Sequence, residues 1–173
     1  QNIYPHGVLI SSDGSKIYML GDNGDFVYQY NLSTPFDLAT ASYSSISLDV
    51  STAASPYGID ISSDGLNLYI ASTSFDSIYQ YTLTTAWDLS TASYSGKSFS
   101  VASQSTTPEG ISFNSNGTKL LVGNGGSTFI YQYTLSTAWD ISTASYDSIS
   151  FATSGQVTAL RDIRIGSNDT KFY

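Results

Sequence analysis

Tyr131-Gln-Tyr-Thr-Leu-Ser-Thr-Ala-Trp-Asp-Ile-Ser-Thr-Ala-Ser-Tyr146 decides the fold, because the chain repeats it. A near copy runs from Tyr79 to Tyr94 and a looser one from Tyr28 to Tyr43. The step from Tyr28 to Tyr79 is 51 residues and that from Tyr79 to Tyr131 is 52. A second marker keeps the same step: Pro5-His6-Gly7, Pro56-Tyr57-Gly58 and Pro108-Glu109-Gly110. Self-similarity at a fixed period of this size marks a repeat architecture, in which each unit buries its apolar face against the next.

Working outward from the quoted stretch, each period divides into four strand-like runs. The first is Gly7 to Ser11, Gly58 to Ser62, Gly110 to Asn114 and Asp162 to Gly166. In it Val8/Ile10, Ile59/Ile61, Ile111/Phe113 and Ile163/Ile165 alternate with Leu9, Asp60, Ser112 and Arg164, the period-2 pattern of a strand. The turns Asp13-Gly14, Asp64-Gly65 and Asn116-Gly117 follow, a strong hairpin signal. The second run is Lys16 to Leu20, Asn67 to Ala71 and Lys119 to Gly123; the third is Val27 to Leu32, Ile78 to Leu83 and Ile130 to Leu135. The fourth is Ser45 to Val50, Lys97 to Val101 and Ser148 to Phe151, whose alternation suits an outer strand with one wet side. Between the third and fourth runs, Thr85-Ala-Trp-Asp88 and Thr137-Ala-Trp-Asp140 have the spacing of a helix start, with room for one turn. Trp87, Trp139 and Phe36 are read as plugs that pin this loop to the sheet beneath.

Four antiparallel strands per roughly 50 residues, repeated, is the arithmetic of an all-β propeller built of four-stranded antiparallel blades. A β-sandwich and a β-solenoid fit the 52-residue step less well. The blades are placed at about 5–55, 56–107 and 108–159, with a partial fourth at 160–173, so that the chain makes one propeller segment of about 3.5 blades. Such a segment cannot close a ring of four to eight blades by itself. Apolar blade faces would then lie open, which favours either missing blades or self-association of two copies. The start at Gln1 and the end within a repeat are read as signs of a processed chain or a fragment.

Composition narrows the function classes. The net charge of the 173-residue chain is −8, with only 6 Lys and Arg, which offers no patch to neutralise phosphates and argues against nucleic acid as a partner. No apolar run approaches the ~20 residues that span a bilayer, so membrane insertion is not expected. Cysteine is absent, which removes disulfides, thiolate metal sites and cysteine nucleophiles. The acidic, Ser/Thr- and Tyr-rich composition suggests a secreted or surface-displayed protein.

The block Pro56-x-Gly-Ile-x-Ile-Ser-Ser-Asp-Gly-x-x-Leu-Tyr69 resembles the Tyr-Val-Thr-Asn family of propeller repeats, which occur in surface-layer proteins and in lactonase-like propellers. The resemblance covers the first half of each period. The long Thr-Ala-Trp-Asp loop departs from that pattern, and the Tyr-Val-Thr-Asn tetrad itself is not present. It implies a propeller fold and, in its lactonase-like branch, a hydrolase with an axial divalent metal to which His6 and Glu109 would contribute.

Differences between repeats point to candidate sites. The position between Pro and Gly reads His6, Tyr57 and Glu109, with Arg161 at the corresponding place in the partial repeat. It falls on the same face as the loops between second and third strands, which supply Asp22, Asp25, Asp76 and Asn124. Binding residues concentrate on loops carried by a rigid scaffold, and neutral drift of exposed loops is the competing reading. Gly21-Asp22-Asn23-Gly24-Asp25 also has oxygen ligands at a spacing that suits a divalent cation such as calcium, against which stands a plain tight turn. No other cofactor is called for: Gly-x-Ser-x-Gly elbows and phosphate-cradling glycine loops are missing from the sequence. The expected function is a non-enzymatic binding or adhesion module for a glycan, peptide or protein partner. The alternatives are the lactonase-like hydrolase and a purely structural surface array.

Overall fold

A computed structural model describes residues 4–21, 24–166 and 168–173. The chain is all-β, with three four-stranded antiparallel sheets whose strand order follows chain order. Blade 1 comprises β1 (Pro5–Ile10), β2 (Lys16–Gly21), β3 (Phe26–Leu32) and β4 (Ala41–Asp49). Blade 2 comprises β5 (Pro56–Ile61), β6 (Asn67–Ser72), β7 (Ser77–Leu83) and β8 (Ala92–Ser100). Blade 3 comprises β9 (Pro108–Phe113), β10 (Lys119–Asn124), β11 (Phe129–Leu135) and β12 (Ala144–Ala152). Beyond them Ile165 pairs with Phe172, and Arg164 and Tyr173 exchange backbone hydrogen bonds, so the fourth repeat begins as a short ribbon.

Two boundaries differ from the sequence reading. Each first strand starts at its proline, because proline lacks only the N–H that a strand's first residue can spare. Each outer strand starts about four residues earlier than its apolar alternation and runs through a bulge. Gln29 pairs with Ile46 but Tyr30 with Tyr43, and the extra residues are taken up where Ser45 turns to φ 63°. Gly96 and Ser148 repeat that turn in the other blades. The hydroxyls of Ser44 and Ser95 satisfy the carbonyls of Gln29 and Gln80 across the bulge, at 2.6 and 2.7 Å.

The long loop also departs from expectation. Phe36, Trp87 and Trp139 sit at φ 61–63° and donate their N–H to the carbonyls of Gly14, Gly65 and Gly117. Their rings lie over those glycines, where a Cβ would run into them. The aromatics therefore fasten the loop to the Asp-Gly or Asn-Gly turn; Trp87 and Trp139 also pack on the seam cores as expected, whereas Phe36 is largely exposed. The residue after each of them caps a single 3-10 turn: Asp88 Oδ1 accepts from Ser90 N at 3.0 Å, and Asp37 and Asp140 do the same one blade away.

Blades are joined by a seam that recurs with the repeat. The first unites Tyr18, Leu20 and Val27 of blade 1 with Ile59, Ile70, Tyr81 and Leu89 of blade 2. The second unites Tyr69, Ala71 and Ile78 with Ile111, Val122, Tyr133 and Ile141. Polar pairs fix the register: Tyr18 Oη donates to Trp87 O at 2.6 Å and Tyr69 Oη to Trp139 O at 2.7 Å. Gln29 Oε1 accepts from Leu89 N, and Gln80 Oε1 from Ile141 N, both at 3.0 Å. The middle glutamine of Tyr-Gln-Tyr thus satisfies the first N–H of the next blade's turn, which would otherwise be buried unpaired.

Candidate functional site

Successive first strands run side by side around the axis and crowd at the Pro-x-Gly glycines. A Cβ at Gly58 would meet the Glu109 carbonyl, and one at Gly110 the backbone of Asp162. Only glycine allows that approach, and it brings the residue before it in each blade into a common mouth.

There the four variable residues form two pairs. The His6 ring stacks on Tyr57 with centroids 3.8 Å apart and an interplanar angle of 26°. Arg161 Nη1 donates to both oxygens of Glu109, at 3.0 and 2.8 Å. The Glu109 carboxylate is buried against Gly125, where a Cβ would strike it, whereas Arg161 is mostly exposed. Thr107 Oγ1 donates to Asn124 Oδ1 at 2.6 Å, and Asn124 Oδ1 also accepts from Gly126 N at 2.9 Å. Asn124 therefore shapes the loop that holds Glu109.

Asp25 and Asp76 take a different part. They occupy the positive-φ corner of the turn between second and third strands, at 54° and 48°. Their carbonyls accept from Val50 N and Val101 N at 2.8 Å, closing the end of the outer strand. At both positions it is the backbone that the turn uses. Asp22 lies outside the described residues, and with it the cation reading of Gly21 to Asp25.

A further cluster escaped the sequence reading. Leu9, Asp60, Ser112 and Arg164 share one repeat position, on the axis side of the first strands. Asp60 accepts from Phe113 N of the next blade at 2.7 Å and from Ile61 N at 3.0 Å, and pairs with Arg164 at 3.4 Å. Arg164 also donates to Ile59 O at 3.1 Å and Val8 O at 3.4 Å, and its Nε lies 3.4 Å from Asp162. One guanidinium thereby ties the fourth repeat to blades 1 and 2. Burial pushes the Asp60 carboxyl up to about 6, against the opposing pull of Arg164 and the two N–H donors. The sequence signal was present: an acid and an arginine at the same repeat position, two blades apart.

The mouth does not suit the axial metal that the lactonase-like resemblance implies. His6 is stacked on a ring and Glu109 is engaged by a guanidinium. Among the described residues, no three His, Cys, Asp or Glu side chains gather into a set of ligands. A groove of about 580 Å³ elsewhere, lined by Leu121, Gln132, Phe151 and Phe172, lies between blade 3 and the fourth repeat.

No protein-family model and no curated protein sequence matches the chain. Solved structures do. A putative 6-phosphogluconolactonase from Bacteroides fragilis superposes with a TM-score of 0.63 at 17% identity, over 86% of this chain and 39% of that one. The periplasmic gluconolactonase of Pseudomonas aeruginosa gives 0.58 at 18% identity, over 86% and 39%. The β-propeller domain of Cps50 (Swd1) from Myceliophteria thermophila gives 0.56 at 11% identity, over 92% and 46%. At these identities the likeness establishes a shared propeller fold. The chain spans about 40% of the length of the two lactonase-type structures.

Proposed function

We propose that this propeller segment is a binding module of a secreted or surface-displayed protein, and that its ligand is an oxygen-rich molecule, a glycan in the first place. The observation that carries this reading is the contrast within one molecule. Seam residues recur from blade to blade, whereas the four mouth positions hold an imidazole, a phenol, a carboxylate and a guanidinium. Both hydrogen bonds that Arg161 makes to Glu109 use Nη1, which directs the remaining donors of an exposed guanidinium outward to hydroxyl or carboxylate oxygens. The His6–Tyr57 stack supplies a flat apolar surface beside them. Burial of Glu109 holds Arg161 in place, which lowers the ordering cost of binding.

A glycan array probed with the chain and with a Tyr57→Ala/Arg161→Ala double variant tests this. Binding to defined glycans, lost in the double variant, is the expected result; equal binding by both places the ligand elsewhere.

A second reading, a lactonase-like hydrolase, is favoured by the named activities of two structural neighbours. Turnover of gluconolactone or its 6-phosphate above the spontaneous rate would support it.

A further inference from the structure

Between the two complete blades 1 and 2 lies a cleft of about 470 Å³, whose lining includes Lys16, Gln29, Leu32, Ile46 and Asp88. It sits where β2 begins and β3 ends, at the end of the blade opposite the Pro5–Gly21 pair of the mouth. Its size falls within the roughly 300–1,000 Å³ of small-molecule sites. The repeat supplies its own comparison for the groups inside it.

Two charges in this cleft lack, among the described residues, the ion-pair partners that their counterparts have in other blades. Between blades 2 and 3, Lys97 Nζ crosses the seam to Asp140 Oδ2 at 2.8 Å. Between blades 1 and 2, Asp88 caps the same turn as Asp140, but Ile46 takes the register position of Lys97 and has no donor to offer. Asp88 Oδ1 is occupied by Ser90 N and Oγ, at 3.0 and 2.7 Å. The Ser90 donors, with Lys16 nearby, hold the Asp88 carboxyl below the usual range, so it is ionised at neutral pH. The lysine has lost an acid in the same way. In blade 3, Lys119 Nζ meets Asp147 Oδ2 at 2.9 Å. In blade 1, Lys16 stands at the position of Lys119 and Ser44 at that of Asp147, and Ser44 spends its hydroxyl on Gln29 O. Lys16 Nζ donates to Trp87 O at 2.9 Å, which leaves its other donors to be used. One cleft thus holds an ammonium short of a carboxylate and a carboxylate short of an ammonium, with Leu32 and Ile46 in the same lining.

We propose that this cleft binds a free α-amino acid. Its ammonium sits on Asp88 Oδ2, as Lys97 Nζ sits on Asp140 one seam further on, and its carboxylate on Lys16 Nζ, as Asp147 sits on Lys119. Its side chain lies against Leu32 and Ile46, which favours an aliphatic one. A simple amine would be repelled by Lys16 and a simple carboxylate by Asp88, so the cleft selects the molecule that carries both charges. The site is separate from the mouth, and its occupancy does not depend on the ligand bound there.

Saturation-transfer NMR against the protein-forming amino acids, each at about 10 mM so that millimolar affinities register, identifies the ligand, and calorimetry counts the sites. The expected result is one site per chain for one or more aliphatic amino acids, and no binding of their Nα-acetyl or carboxamide derivatives. Ile46→Lys supplies the ammonium missing from this seam, so it should pair with Asp88 and abolish binding with unchanged circular dichroism. Asp88→Asn keeps a side chain that caps the turn and should weaken binding about tenfold or more. The Tyr57→Ala/Arg161→Ala double variant should bind the amino acid as the wild type does. No amino acid bound at about 10 mM, binding that survives both Ile46→Lys and Asp88→Asn, or binding removed by the double variant at the mouth would each overturn the proposal.

Discussion

Replacing Asp60 by asparagine should change how stability depends on pH, by an amount the structure sets. Asp60 is enclosed by Ile61 N–H, Phe113 N–H and Arg164, and burial raises its carboxyl from 3.8 to about 6. An acid whose pKa is higher folded than unfolded adds stability that is fully present below the unfolded value. That contribution is lost as pH rises through the folded one. For these two values, lowering the pH from 7.5 to 4.5 should strengthen the wild type by about 2 kcal/mol relative to a chain without the group. The amide of the Asp60→Asn variant would keep an acceptor for the N–H donors but cannot titrate. Urea unfolding of both proteins at pH 7.5, 6.0 and 4.5 gives the double difference, in which the other carboxylates cancel. The wild type should gain on Asp60→Asn as pH falls, with the change centred between the two pKa values. Arg164→Ala should move that window upward, because the guanidinium is what holds the carboxyl down. A double difference flat across this range, or one of opposite sign, would refute the reasoning.

Gln80→Leu should cost about 1–3 kcal/mol by urea unfolding, because it leaves Ile141 N–H buried without its acceptor. Gln132→Leu, at the equivalent place in blade 3, should cost less, since among the described residues the Gln132 amide bonds to Asp147 and not to a buried backbone N–H. Gly65→Ala should lower the melting temperature by several degrees, since φ 74° disfavours a Cβ and the Trp87 ring occupies its place. The same change at Gly155, where a Cβ would meet nothing, should leave the melting temperature nearly unchanged.

The repeat made most of the architecture readable. Pro-x-Gly, Asp-Gly and Tyr-Gln-Tyr punctuate each period, and the alternation between them gives strand number and order. The outer strand was read short because the alternation of Ala41 and Tyr43 is out of phase with that of Ile46 and Leu48; only pairing through a bulge joins the two into one strand. The role of the glutamine in Tyr-Gln-Tyr was hidden for another reason. Its partner lies about 60 residues away in the next blade, and no local pattern encodes a contact across a seam. At the mouth, variation between repeats picked out His6, Tyr57, Glu109 and Arg161, and the structure joins them in pairs. It gave Asp25 and Asp76 the same weight; there the structure shows positive-φ corners whose carbonyls hold the end of the outer strand. Asp60 and Arg164 were read as members of an alternating strand, and their shared repeat position is a signal only when the blades are compared. Which side of that strand faces the axis depends on how the blades are arranged, so the ion pair had no local signature.

His6 is the only histidine in the chain, so its ring signals in a proton–carbon NMR spectrum report the mouth alone. Titrating the labelled protein with a glycan that the array selects tests the central claim, that the variable mouth is the binding face. The account predicts a saturable shift of the His6 ring resonances that disappears in Arg161→Ala. A glycan that binds while those resonances stay still would contradict it.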